Sequence, residues 1–224
     1  MSKISRGDKG ESLVIKVLER IKDYHHILND VTFENAKSGM THQLDHILIH
    51  PHGVFVIETK NYAGKITINP ISGYWIKEIR GTKSKINNPL LQNKSHAINL
   101  YKILKGKYEI IPVVVFAQNN APYLPDDNVI NLNDLLLFIE SYPFKQLLDN
   151  KNIDKIKELI EKETITISRK DHVTNIHLYQ EFRKEQQSEM TYAIENRKCP
   201  KCQSEMIYKY GILKCTKCSY KFKV

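Results

Sequence analysis

The chain has 224 residues and a formal net charge of +9 at pH 7, and 41% of its residues are hydrophobic. This length and apolar content suit one large or two modest domains with a sizeable core. No apolar run approaches the roughly 20 residues that span a bilayer, and no apolar signal segment opens the sequence, so we expect a cytoplasmic protein in a reducing compartment.

The first predicted element is an amphipathic helix. Its apolar stripe contains Val14, Val17, Leu18 and Ile21, and Glu11 lies beside that stripe near the N-terminal end. A carboxylate in this position is open to two interpretations. It contributes to a site next to the helix, or it only interacts favourably with the positive end of the helix dipole.

The next signal is a predicted β-hairpin over residues 45–60. If residues 51 and 52 form a tight turn, counting outward by equal steps places Asp45 directly opposite Glu58. Directly opposed residues in an antiparallel pair share one face, with Cβ atoms roughly 5 Å apart, and like charges there are destabilising. A divalent cation between the two carboxylates would remove that repulsion. A three-residue turn would shift the register by one residue and abolish this arrangement.

Lys60 adds a cation to the same face, because it lies two residues beyond Glu58 and side chains alternate along a strand. Oxygen ligands suit Mg²⁺, which binds proteins through one or two carboxylates and keeps several waters. Two carboxylates and an ammonium group therefore predict a site for metal-assisted attack of water on a phosphodiester. The alternative is a solvated edge hairpin in which Glu58 and Lys60 only balance each other's charge.

Further elements are predicted downstream. Apolar periodicity predicts helices over residues 89–104 and 153–160, and the β-branched run at 111–116 predicts a buried strand. Trp75 is expected to pack in the core. The polar segment at 171–196 is interpreted as a helical or partly flexible tether.

All four cysteines lie near the C-terminal end of the sequence, in two Cys-x2-Cys pairs separated by twelve residues. The pairs are Cys199 with Cys202 and Cys215 with Cys218. This spacing suits one tetrahedral Zn²⁺ and predicts a zinc ribbon. A site closed by four thiolates has no open position, so we expect this zinc to be structural. Disulfides are the alternative, and the lack of cysteine elsewhere in the sequence and of an apolar leader argues against them.

The C-terminal segment is also basic: residues 197–224 contain eight Lys or Arg residues and one acid, Glu205. Interleaved aromatic residues suit a surface that contacts phosphates and stacks on unpaired bases, although Tyr208 and Phe222 are expected to fill the small core of the ribbon. Nucleic acid is therefore the expected partner, and an acidic protein surface is the competing one.

Four separated segments together resemble one family. They are Gly7 to Glu11, Gln43 to Ile47, Gly53 to Tyr62 and Asn88 to Gln92. In content and order they are similar to the nuclease-related domain (NERD), a branch of the PD-(D/E)xK phosphodiesterases with the restriction-endonuclease-like fold. The resemblance covers about the first 140 residues. Leu44 departs from the wider superfamily, in which proline precedes the first catalytic aspartate.

The resemblance implies an α/β protein whose mixed central sheet is flanked by helices, with a small zinc ribbon added at the C-terminal end. It implies that Asp45 and Glu58 bind a catalytic Mg²⁺ or Mn²⁺ and that Lys60 assists catalysis. Glu11 would contribute from the first helix. Gln92 would lie on a later helix near the same site, or else occupy an ordinary polar helix position. The ribbon is loosely similar to modules appended to topoisomerases and other nucleic-acid enzymes.

These patterns divide the chain into a NERD nuclease-like domain at 1–145, a helical extension and linker at 146–196, and the zinc ribbon at 197–224. The expected function is metal-dependent hydrolysis of phosphodiester bonds in DNA, with the ribbon aiding nucleic-acid binding. Only the resemblance favours DNA over RNA. The alternative is a non-catalytic nucleic-acid-binding or scaffold protein that retains the nuclease fold. A homodimer or a partner DNA-processing enzyme is compatible with either function.

Overall fold

A computed structural model describes residues 5–35, 39–68, 73–122, 128–144, 147–209 and 212–223. The chain forms two compact units, Met1–Thr166 and Ile167–Val224. The first unit contains the predicted hairpin and its neighbouring helices. The second contains a long helix and the cysteine pairs.

The first unit is built on a five-stranded mixed sheet. Its strand order is β1 (His26–Glu34), β2 (Thr41–His50), β3 (Gly53–Lys60), β7 (Ile110–Phe116) and β8 (Val129–Asn131). The first three are antiparallel neighbours, whereas β3, β7 and β8 are parallel. Four helices flank this sheet: α1 (Arg6–Leu18), α2 (Pro89–Ile103), α3 (Leu135–Ser141) and α4 (Asn150–Glu163). A short 3-10 helix, Leu132–Asp134, precedes α3. The predicted fold class, a mixed sheet flanked by helices, is confirmed.

The hairpin of β2 and β3 has the predicted two-residue turn. The last residue of β2 pairs with Gly53, and His46 pairs with Ile57, so the register holds along the hairpin. The paired residues end at His46 and Ile57, and the next residues along the two strands are Asp45 and Glu58. Gly53 has a φ of 140°, and a Cβ atom here would lie 2.5 Å from an isoleucine side chain of β7. Glycine therefore permits both the turn and the close approach of the neighbouring strand.

Alternation along the strands produces two apolar layers. On one face, Leu48, Phe55 and Ile57 pack with Val14 and Leu18 of α1 and with α3. The other face packs against α2 and α4, and its cluster includes Ile47, Ile49, Val54, Val56, Leu100 and Ile156. Burial on both faces explains why β3 and β7 are nearly continuous apolar runs in the sequence.

A second sheet of three antiparallel strands follows β3 in the chain. Its order is β4 (Lys65–Ile68), β5 (Tyr74–Ile79) and β6 (Thr82–Asn87). Trp75 of β5 is fully buried and stacks on Phe116 of β7, with ring centroids 6.1 Å apart. The predicted core position of Trp75 is confirmed, and this contact joins the small sheet to the main core.

Two downstream helices also match their predicted positions. Asn88 precedes α2, and its side chain accepts a hydrogen bond of 2.9 Å from the backbone N–H of Leu90. Ile153, Ile156 and Ile160 of α4 are buried in the core of the first unit. The domain boundaries placed at 145 and 196 stay predictions.

The second unit consists of α5 (Arg169–Asn196) and an antiparallel sheet of β9 (Met206–Lys209), β10 (Ile212–Cys215) and β11 (Lys221–Lys223), with β10 in the centre. The segment interpreted as a tether is thus one helix of 28 residues.

The prediction that Tyr208 fills the ribbon core is wrong. Tyr208 is 64% exposed, because Met206, Leu213 and the cysteines fill that core. Phe222 does pack against that core.

Within the described ranges, no helix has the length and apolar composition needed to cross a bilayer.

Candidate active site and metal centre

Four of the five side chains expected at the catalytic site line one cleft in the first unit. Glu11, Asp45, Glu58 and Lys60 border a cavity of about 390 Å³ beside the C-terminal end of β3. Gln92 approaches from α2, with its Oε1 3.5 Å from Lys60 Nζ. The fold thus brings together side chains from α1, β2, β3 and α2.

Glu58 and Lys60 form a buried ion pair on one face of β3. Lys60 Nζ donates a hydrogen bond to Glu58 Oε1, and the two side chains are only 3% and 16% exposed, Glu58 being the more buried. Burial lowers the pKa of Lys60, but the Glu58 carboxylate and its neighbours outweigh that effect, and the net pKa is raised. The prediction that these two side chains share a face is therefore confirmed.

Asp45 has a different environment. Its Oδ2 accepts a hydrogen bond of 2.7 Å from the backbone N–H of Thr59. Burial, reinforced by the negative charge of Glu58, raises the pKa of Asp45 to about 7 despite that hydrogen bond. Ionised Asp45 is therefore short of compensating positive charge, and a bound cation would supply it.

Asn93 fixes α2 against the sheet. It is fully buried, and its Nδ2 donates hydrogen bonds to the carbonyl oxygens of Val56, at 2.9 Å, and Val113, at 2.8 Å. These carbonyls belong to the neighbouring strands β3 and β7. Because Gln92 and His96 are four residues apart, they lie on one side of the anchored helix and reach the β3 side chains together.

His96 is a site residue that the sequence interpretation missed. Its Nε2 lies 3.9 Å from Glu58 Oε2, while Lys60 contacts the other oxygen, Oε1. Each carboxylate oxygen of Glu58 therefore faces a nitrogen-bearing side chain. The available signal for His96 was its spacing of four residues after Gln92, which puts both residues on one side of a helix. An ordinary buried helix position has the same spacing, so the sequence does not distinguish the two cases.

Helix α1 comes close to the end of β3 at Gly10. A Cβ atom on Gly10 would lie 2.8 Å from Asn61 Cβ, so glycine permits this contact and places Glu11 at the cleft. The helix N-terminus is capped by a reciprocal pair of hydrogen bonds between Ser5 and Asp8. Asp8 thus provides the negative charge that interacts favourably with the N-terminal end of the helix. This was the alternative role considered for Glu11.

Asp45 and Glu58 suit a cation such as Mg²⁺, which takes one or two protein carboxylates. Glu11 lies on the cleft wall without completing a cluster of three carboxylates. In the part of the chain that the structure describes, only the cysteines form a group of three or more potential metal ligands with donor atoms within 4.8 Å of one another. The catalytic roles of the cleft residues stay predictions.

The four cysteines converge at one point in the second unit. A tetrahedral site with Zn–S bonds of about 2.3 Å has sulfur–sulfur edges of about 3.8 Å. The Sγ–Sγ distances are 3.6 Å for Cys199 and Cys218, 3.5 Å for Cys202 and Cys215, and 3.7 Å for Cys202 and Cys218. The backbone N–H groups of Lys217 and Cys218 each donate to Cys215 Sγ over 3.3 Å. This geometry fits a small zinc ribbon.

The C-terminal part of α5 packs on the ribbon. Ala193 is fully buried in the ribbon core. Glu189 accepts hydrogen bonds from Lys201 Nζ, at 2.5 Å, and from the Tyr220 hydroxyl, at 2.6 Å. Part of the polar segment interpreted as a tether therefore belongs to the packed ribbon module.

The sheet, its flanking helices and the cleft in which Asp45, Glu58 and Lys60 meet define a nuclease-like α/β protein. Residues 6–117 match the family NERD, the nuclease-related domain, and the chain belongs to this family. It is 32% identical over 181 residues to an uncharacterized protein of Bacillus anthracis, and this match covers 77% of the chain and 84% of that protein. No solved structure matches the chain.

Replacing Asp45 with Asn is expected to stabilise the metal-free protein above pH 7. The pKa of about 7 in the folded state exceeds the ordinary aspartate value of about 4, so the folded protein retains a proton that the unfolded chain has released. The free energy of unfolding therefore falls as pH rises from about 4 to about 7, and Asn removes this loss. We expect a gain of about 2–4 kcal/mol over wild type at pH 8 and little at pH 4.

Chemical denaturation in metal-free buffer measures this difference, with Asp134→Asn as a control because Asp134 is exposed. An effect of Asp45→Asn that is equal at pH 4 and pH 8 would contradict the raised pKa.

The ribbon is expected to contain one zinc ion per chain and to lose it in Cys215→Ser. Structural zinc in such sites contributes roughly 10–16 kcal/mol of apparent binding free energy, so β9, β10 and β11 should unfold without it. Elemental analysis measures the zinc, and NMR measures the dispersion of the ribbon amides. Ser219→Ala, at an exposed position between the last cysteine and β11, is the control. A folded ribbon in metal-free protein would contradict the assignment.

Proposed function

We propose that this protein is a Mg²⁺- or Mn²⁺-dependent nuclease that hydrolyses phosphodiester bonds in DNA. The observation that carries the proposal is the buried cleft in which Asp45, Glu58 and Lys60 meet, in a chain of the nuclease-related family. Two carboxylates and one ammonium group suit a metal-assisted hydrolysis of a phosphodiester, because carboxylates bind Mg²⁺ and the ammonium group can pair with the phosphate.

Asp45 and Glu58 would hold the cation. When bound, the cation lowers the pKa of the attacking water and stabilises the negative charge that develops on the phosphate. The Thr59 N–H keeps Asp45 oriented, and Lys60 and His96 face opposite oxygens of Glu58. These contacts fix both carboxylates before a substrate binds, which reduces the reorganisation needed for reaction.

Lys60 supplies positive charge to the scissile phosphate. Its Nζ lies between Glu58 and Gln92, so it is held at the cleft by a side chain on each of two elements. Glu11, on the α1 wall of the same cleft, adds a carboxylate that can accept a hydrogen bond from the attacking water. Gln92 acts through Lys60 and is a positioning residue.

The ribbon supports this function by binding nucleic acid. The four cysteines would hold a structural zinc that folds the module and performs no chemistry. Residues 197–224 contribute eight basic side chains, and exposed Tyr208 offers a surface on which an unpaired base can stack.

The test is cleavage of end-labelled single-stranded, double-stranded and circular DNA, with RNA alongside, in Mg²⁺ or Mn²⁺. Glu58→Gln should reduce the cleavage rate at least about a hundredfold, because it removes a charged ligand while keeping the side-chain shape. Glu140→Gln is the control, because Glu140 is an exposed glutamate of α3.

Cleavage that Glu58→Gln leaves unchanged would contradict the proposed site. If wild type and both variants bind DNA equally and cut no substrate, the protein is a nucleic-acid-binding or scaffold protein that retains the nuclease fold.

A further inference from the structure

Lys77 interrupts the apolar face of the small sheet. Alternation along β5 places Trp75, Lys77 and Ile79 on the same face, and Trp75 is buried against Phe116 of the main sheet. The direct partner of Lys77 on β4 is Ile66, which is also buried. A lysine in this row must extend its ammonium group beyond the apolar layer. It does so at the catalytic cleft, where Lys77 and Ile79 form part of the wall.

Tyr62 lies next to Lys77 on the same cleft. Lys77 Nζ is 5.4 Å from the centroid of the Tyr62 ring. Phe116 supports that ring edge-on, with centroids 6.2 Å apart, and Asn120 Nδ2 donates a hydrogen bond of 3.0 Å to the Tyr62 carbonyl oxygen. The Tyr62 ring is therefore a fixed platform, and the cation that covers it is at the end of a flexible side chain.

This pair has the two properties that bind one nucleotide. An ammonium group pairs with a backbone phosphate, and an aromatic ring stacks on a base of any identity. A cation above a partly exposed ring is only weakly attracted to it, so a phosphate competes well for Lys77. Movement of the lysine stem toward a phosphate would also uncover the Tyr62 ring.

We propose that Lys77 and Tyr62 form a subsite for an unpaired nucleotide next to the scissile phosphate, in which Lys77 binds a phosphate and Tyr62 stacks on the base. This inference rests on the nuclease function proposed above and specifies its substrate. A base inside a duplex is already stacked on its neighbours and cannot lie on Tyr62. The substrate is therefore a single strand, or a duplex with an unpaired end or junction at the cut.

The small sheet offers a matched control pair. Lys85 Nζ lies 4.4 Å from the centroid of the Tyr74 ring, so it makes the same kind of contact. Lys85 pairs with Ile76 across β5 and β6, which places it on the opposite face from Lys77. Substitutions of Lys85 and Tyr74 therefore measure the effect of removing a lysine or a tyrosine from the small sheet without changing the cleft.

The first experiment measures kcat/KM on a single strand of about eight nucleotides and on an abasic strand of the same length. Lys77→Gln should lower kcat/KM about tenfold on both strands, because both carry phosphates. Tyr62→Leu should lower it about five- to a hundredfold on the normal strand only, and Tyr62→Phe should restore it. Lys85→Gln and Tyr74→Leu should leave both values unchanged.

The second experiment does not depend on cleavage. Full-length Glu58→Gln protein is irradiated with a short strand that contains 5-iodouracil, which crosslinks to an aromatic ring on which it stacks, and mass spectrometry locates the adduct. The expected adduct is on Tyr62, and Lys77→Gln should reduce its yield at moderate salt more than Lys85→Gln does.

The two experiments separate the outcomes. If Lys77→Gln and Tyr62→Leu affect cleavage no more than the substitutions of the control pair do, the subsite is overturned. The nuclease function is not contradicted by that result. If no substrate is cut, the nuclease function fails, and the crosslink decides the subsite alone: an adduct on Tyr62 supports it, whereas adducts confined to other residues overturn it. Equal cleavage of blunt duplex and single strands also overturns it.

Discussion

Asp45 and Glu58 are held side by side in a largely buried place, and their mutual repulsion has to be offset there. The two-residue turn of the hairpin sets this pairing, because the register continues unbroken from Gly53 to Ile57. Lys60 offsets part of the charge through its contact with Glu58. Asp45 keeps a raised pKa of about 7, so the protein alone leaves part of the negative charge uncompensated. That deficit is the physical basis for the cation site proposed in this cleft.

The surrounding elements keep this arrangement rigid. Asn93 joins α2 to two strands at once, which brings Gln92 and His96 to the acidic pair. Gly10 lets α1 approach the opposite side closely enough for Glu11 to enter the cleft wall. The apolar layers on both faces of the sheet then allow little movement, because packed cores respond to small displacements with a large loss of contact energy. The cleft wall carries acidic and basic side chains in equal number, whereas residues 197–224 contribute eight basic side chains and a single acid.

The sequence was most informative where local rules decide the structure. The hairpin register follows from turn length, so the presence of Asp45 and Glu58 in one cleft was predictable, and the four-cysteine spacing similarly indicated the ribbon. His96 and Lys77 were not predictable, because their positions depend on how α2 and the small sheet pack against β3 and β7. Tyr208 was assigned to the wrong environment for a related reason: which aromatic side chains fill a very small core depends on the packing of the whole module.

The most direct test of the cation site is calorimetric titration of the zinc-loaded protein with Mn²⁺, which reports binding without requiring turnover. One Mn²⁺ site is expected in addition to the zinc. Its affinity should be at least about tenfold weaker in Asp45→Asn and unchanged in Asp134→Asn, because removal of a charged ligand costs about 1.4 kcal/mol or more. Equal Mn²⁺ binding by wild type and Asp45→Asn, or no binding by wild type, would contradict this expectation.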